Sequence, residues 1–257
     1  MDELKRVMIC EDSIEGIFTA VYDGWLYEGR GIQVEIRTER PDNLELFCEY
    51  ETVDTEAGKA YKVARTIRNK LGNTTYECIC YAAVSAHPEK GTAVFRVLRK
   101  AFGGGRCNAG IMEDMSDLYV NMVSRMHIKV WHEYHRFLGF VRFSEIGGSV
   151  LFALISPEND ILAMLAPHFE NRYPNENWMI YDEKREKVLL HQKGEKAVVR
   201  GDVKLTQETR ESLVQNQEYE NLWRAFCKSI TITERGNKEL QQKLVPLKFQ
   251  ENMLEFN

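Results

Sequence analysis

The residues best suited to chemistry concentrate between Val130 and Trp178, where His132, Glu133, His135 and His168 are interleaved with Arg136, Arg142 and Arg172. Imidazole and carboxylate groups could act as acid or base, which makes Glu133, His135 and His168 the catalytic candidates. Guanidinium groups bind phosphate through planar, charge-assisted hydrogen bonds, so Arg136, Arg142 and Arg172 are phosphate-binding candidates. His168 and Arg172 are four residues apart, so a helix would point them the same way. Arg142 falls in an apolar segment, where a strand would put it on one face with Phe140 and Ser144. A partly buried guanidinium needs an anionic partner, supplied by the fold or by a ligand phosphate. The His-Glu-Tyr-His run is one residue short of the helical His-Glu-x-x-His zinc pair. The stronger reading is a helix C-terminal turn in which His135 and Arg136 satisfy the last carbonyls, and no metal or cofactor is expected.

A second cluster is electrostatic. Between Lys59 and Arg106 the chain has ten basic residues and only two acidic ones, Glu77 and Glu89. That segment carries +8 in a chain whose net charge is −5, which leaves −13 for the remainder. Its members Lys62, Arg65, Arg68, Lys70, Arg96, Arg99, Lys100 and Arg106 are candidate contacts to nucleic acid or another polyanion. The bland alternative is a pair of solvated helices whose charges meet acidic neighbours in space. Gly103-Gly104-Gly105 follows a helical pattern and lacks the Lys-Ser/Thr of a phosphate loop, so it reads as a helix stop. Ser144 and Ser149 have no Gly-x-Ser-x-Gly setting, and the sequence alone assigns no reaction.

These groups must be positioned by an ordinary globular chain of 257 residues, 44% hydrophobic and 28% charged. No run of eighteen apolar residues is present and Met1–Arg6 has no signal-peptide core behind it, so a cytoplasmic protein without a membrane partner is expected. The cysteines at 10, 48, 78, 80, 107 and 227 show neither disulfide nor zinc spacing and read as free thiols.

In order, Arg6–Cys10 suits a strand, and Asp12 or Ser13 caps a helix with Ile14, Ile17, Phe18, Val21, Tyr22 and Trp25 at helical spacing. Leu44–Val53 alternates as a second strand. Helices follow over about 55–71, placing Ala57, Tyr61, Ala64, Ile67 and Leu71 on one face, over about 74–86, and from Pro88 to the triple glycine. Asp114 or Ser116 can cap a long helix reaching Phe137, with a stripe of Leu118, Met122, Val123, Met126, Val130 and Trp131, and Gly139 is placed to end it. Phe140–Ile146 and Val150–Ile155 predict an antiparallel hairpin about Gly147-Gly148. Pro167 is expected to kink or break a helix that starts at Ile161. Trp178–Tyr181, Lys187–His191 and Ala197–Arg200 read as strands, Gln207–Ile232 as a long helix and Lys238–Leu244 as a short one. The whole predicts an α+β protein with a helical N-terminal part and an antiparallel sheet at about residues 138–200 flanked by helices. It forms a single compact domain over 1–257, with a possible subdivision into a helical, basic part (1–112) and a sheet-containing part (113–257).

Four runs, SIEGIFTAVYDGW, EYHRFLGFVRF, LAPHFENRYPNENWMIYD and LQQKLVPLKF, resemble an uncharacterised bacterial family of probable DNA-metabolism or DNA-repair proteins. Members are encoded beside a radical SAM protein, and some are fused to a uracil-DNA glycosylase domain. The family pattern falls on Glu133, His135, Arg136, Phe137, Gly139, Phe140, Arg142 and Phe143, and on Pro167, His168, Phe169, Arg172, Pro174, Asn175 and Asp182. This sequence has neither the glycosylase domain nor a Cys-x3-Cys-x2-Cys cluster, so it is expected to be neither of those enzymes. The resemblance implies a DNA-metabolism accessory protein that binds nucleic acid and acts with a radical SAM partner. Two alternatives stay open: an enzyme acting on a nucleotide or damaged base through the His/Arg set, and a protein-interaction subunit without DNA affinity.

Overall fold

A computed structural model describes residues 5–103, 107–146, 149–204 and 245–250. Arg106 and the segments expected to be helical at 207–232 and 238–244 lie outside them. The α+β expectation holds. The chain divides into two compact units, Met1–His132 with Glu158–Asp160, and Glu133–Pro157 with Ile161–Asn257. The division falls later than residue 112, inside a helix.

The first unit is not purely helical, because it is built on a three-stranded parallel sheet. β1 (Lys5–Cys10) is central, with β2 (Gln33–Arg37) on one side and β3 (Cys48–Val53) on the other. Val7 and Met8 of β1 and Val34 and Ile36 of β2 are buried, while Glu35 and Arg37 stay partly exposed. The segment 44–47 is not strand: Leu44, Leu46 and Phe47 are exposed, and Glu45 accepts from both Lys5 and Arg37, which lowers its pKa to about 2.

α1 (Ile14–Glu28) starts where Ser13 Oγ accepts from the Gly16 amide at 3.0 Å, the N-cap the sequence offered. α2 (Ala57–Leu71) and α3 (Asn73–Ala83) follow, and then α4 (Lys90–Phe102) packs on β2. That packing is close: a Cβ on Gly91 would lie 2.7 Å from the Ile36 carbonyl oxygen. The obstacle is backbone, so relief requires moving a strand or a helix. Gly91→Ala is therefore expected to destabilise the protein by about 1–3 kcal/mol, read as a lower urea midpoint. An unchanged midpoint would contradict the contact.

α5 (Leu118–Phe140) is capped by Asp117, next to its first residue, and not by Asp114 or Ser116. Asp117 Oδ1 accepts from the Tyr119 and Val120 amides at 2.9 and 3.0 Å. The buried stripe runs through Val120, Val123, Met126 and Val130, whereas Leu118 and Trp131 are exposed. The helix continues through Gly139, which therefore does not end it.

The second unit carries a five-stranded sheet ordered β4 (Ser144–Ile146), β5 (Val150–Ile155), β6 (Asn177–Asp182), β7 (Lys187–His191) and β8 (Val198–Arg200). It is mixed instead of wholly antiparallel, because β5 and β6 pair in parallel across the helical connection α6 (Leu162–Arg172). Pro167 sits inside α6 without ending it. Proline deletes one ladder donor, and packing of Leu162, Leu165 and Phe169 offsets that loss. Trp178 is fully buried and stacks on His191 with ring centroids 4.8 Å apart.

Candidate functional site

Helix α2 sorts its residues sharply. Ala60, Ile67 and Leu71 are buried, and the helix contains no acidic residue. At 100° per residue, Lys62 and Arg65 lie near the centre of the opposite face, with Arg68 and Lys70 toward its flanks. All four are exposed, and none forms an ion pair among the described residues. Two are steadied by aromatic rings, the Arg68 guanidinium 4.0 Å from the Tyr76 centroid and the Lys62 ammonium 5.6 Å from that of Tyr22. Tyr61, expected on the buried side, is 66% exposed on this same face.

The rest of the basic segment is largely neutralised. Lys59 bonds Asp23 and Glu56, which raise its pKa. Arg96 and Arg99 share Glu28, and Lys100 bridges Asp114 and Asp117 at 2.8 and 2.7 Å. Lys90 is 3% exposed at its side chain and bonds Asp12 and, at 2.7 Å, the Ser85 carbonyl. Arg96, Arg99 and Lys100 thus follow the bland reading of the sequence, and among the described residues the unneutralised positive charge of this segment narrows to α2.

A polar cleft of about 540 Å³ opens at the carboxyl ends of β1 and β2. Five carboxylates line it, from Asp12, Glu35, Glu39, Asp42 and Glu89, against the cations Arg37, Arg40 and Lys90, with His87 nearby. That balance disfavours a polyanion. The sequence signal for the cleft was the turn Cys10-Glu11-Asp12-Ser13 between a strand and a capped helix, and none of its residues was among the sequence candidates. Burial pushes the Cys10 thiol up to about 12, which leaves it inert at neutral pH.

The His/Arg set of the second unit has a different character. Glu133 is buried in α5, and His135, two residues on, is exposed. Arg136 lies 5.6 Å over the Phe249 ring. Arg142 is not in a strand: it follows α5 and donates to the Gly139 carbonyl at 2.7 Å, so helix-terminal oxygens give it partners. His168 and Arg172 are one turn apart on α6, as spacing requires. Arg172 Nε donates to the Tyr173 hydroxyl at 3.3 Å, and the His168 ring stands edge-on to Phe169 at 4.9 Å. The buried Nε2 of His168 has no hydrogen-bond partner among the described residues. No three His, Cys, Asp or Glu side chains are grouped to hold a metal among the described residues.

Burial, and then the nearby Arg172 charge, lower the pKa of His168. The folded state therefore binds fewer protons here than the unfolded chain. Stability from this residue is full above the unfolded value, ordinarily near 6.5, and is lost as pH falls through the folded value. His127, also lowered by burial, acts with the same sign in the first unit. His168→Gln is expected to flatten the acid-side fall in melting temperature, and an unchanged pH profile would contradict it.

The described helices include none long and apolar enough to cross a membrane. Residues 88–255 match the family DUF4130, a domain of unknown function. The chain belongs to that family. The DUF4130 segment starts just ahead of α4 and takes in α5 and the second unit, while α1–α3 precede it. No curated protein matches the chain. Among solved structures it is similar to an exopolyphosphatase-related protein from Bacteroides fragilis at 10% identity, over 86% of this chain and 93% of that one, with a TM-score of 0.28. A likeness that weak says nothing about function.

Proposed function

We propose that this DUF4130 protein is a nucleic-acid-binding accessory factor of DNA metabolism that works with a radical SAM partner. One observation supports it above the others: four of the five cations of α2 are exposed without carboxylate partners among the described residues, inside an otherwise acidic chain. Such a face gains binding energy by releasing counterions from phosphates. The DNA-metabolism context and the radical SAM partner rest on the sequence resemblance. Equilibrium binding to single- and double-stranded DNA is the test, with affinity expected to fall steeply as salt rises. Undetectable or salt-insensitive binding to both would overturn the reading. Co-purification with the radical SAM protein in that event would favour an interaction subunit.

A second reading, an enzyme acting on a nucleotide or damaged base, is favoured by the unpartnered, buried His168 Nε2 one turn from Arg172. It requires hydrolysis or transfer that His168→Gln abolishes while the fold is retained.

A further inference from the structure

Beside the cationic face of α2 lies a groove of about 440 Å³ between α1, α2 and α4, within the usual range for small-ligand sites of roughly 300–1,000 Å³. Its floor is Val21, Ile67 and Leu98, all buried, and its walls are the half-buried rings of Tyr22, Trp25 and Phe102. Lys62 belongs both to this groove and to the exposed basic face, so one ammonium group joins an apolar, aromatic recess to a row of cations.

We propose that the groove receives unpaired bases of a single-stranded nucleic acid whose phosphates run along α2, an inference that rests on the nucleic-acid reading above. A ligand seated here must be flat and apolar in one part and anionic in the next. An acyl chain or an apolar peptide would match the recess and leave Lys62 and Arg65 without a role. A free phosphate or an intact duplex would match the cations and leave the recess empty, because paired bases present only their edges to a protein surface. A single strand supplies both parts, and non-specific single-strand binders combine a basic track with aromatic platforms in this way. The Arg99 guanidinium lies 4.4 Å from the Trp25 ring centroid and is held by Glu28, so it helps to fix the ring that walls the recess.

The test compares a single-stranded thymidine oligomer, an abasic oligomer of equal length and the corresponding duplex at one salt concentration. The base-bearing single strand is expected to bind about 10-fold or more tightly than the abasic strand. Thr66 stands exposed on the rim, and Thr66→Trp fills the groove while keeping every cation. This variant, checked for retained helicity, is expected to weaken the base-bearing strand to the abasic level and to leave abasic binding unchanged. Equal affinity for base-bearing and abasic strands, or an equal effect of Thr66→Trp on both, would overturn base insertion while the α2 reading stands. Undetectable binding of all three ligands would overturn both.

Discussion

Reversing Lys62 and Arg65 together to glutamate is expected to weaken DNA binding by about 100-fold at 50 mM salt, the largest functional effect of any surface change considered. Four phosphate contacts from α2 give a slope of log affinity on log salt of about −3 for a single strand, a fall of about 50-fold between 50 and 200 mM. Lys62 and Arg65 sit at the centre of the face, so their reversal removes two contacts and adds two repulsions at the point where phosphates pass. The slope should fall to about half or less. Neither residue is buried or ion-paired among the described residues, so melting temperature should hardly change. Reversal of the exposed Lys193 and Lys196 changes net charge equally and serves as the control. If the control weakens binding as much, attraction is diffuse and does not belong to α2.

The largest effect on stability is expected from Asp12→Ala, at about 2–4 kcal/mol. Asp12 is the only carboxylate bonded to the Lys90 ammonium among the described residues, and Lys90 is 3% exposed at its side chain. Removing one partner of a buried pair strands a charge away from water, which costs about 3–5 kcal/mol when both partners are buried. Asp12 is 55% exposed at its side chain, and that lowers the figure. Lys90→Met should cost less, because it removes the buried charge and leaves Asp12 facing solvent. An Asp12→Ala protein no less stable than Lys90→Met in urea would show that the Ser85 carbonyl and water suffice for Lys90.

The elements that followed one clear period were legible in the sequence. Ser13 capped α1, the apolar run within Lys187–His191 became β7 with the same ends, and the helices near 57–71 and 73–83 came within a few residues. Strand β2 was missed although Val34 and Ile36 alternate with Glu35 and Arg37, and with it the parallel sheet. Parallel pairing of β5 with β6 needs the crossover that α6 supplies, and α6 passes Pro167 because tertiary packing outweighs local propensity. Charge count along the chain found the basic segment but could not separate Lys62 from Lys100, because Asp114 and Asp117 reach Lys100 only in the fold. Arg142 misled for a similar reason: it donates to the Gly139 carbonyl at the helix end, a partner that no residue type announces.

Lysine acetylation footprinting with and without a single-stranded oligonucleotide tests the role of α2 most directly. Lys62 and Lys70 should be protected by DNA, while Lys196, 91% exposed at its side chain, keeps its reactivity. Unchanged labelling of Lys62 and Lys70 under saturating DNA would contradict α2 as the contact face.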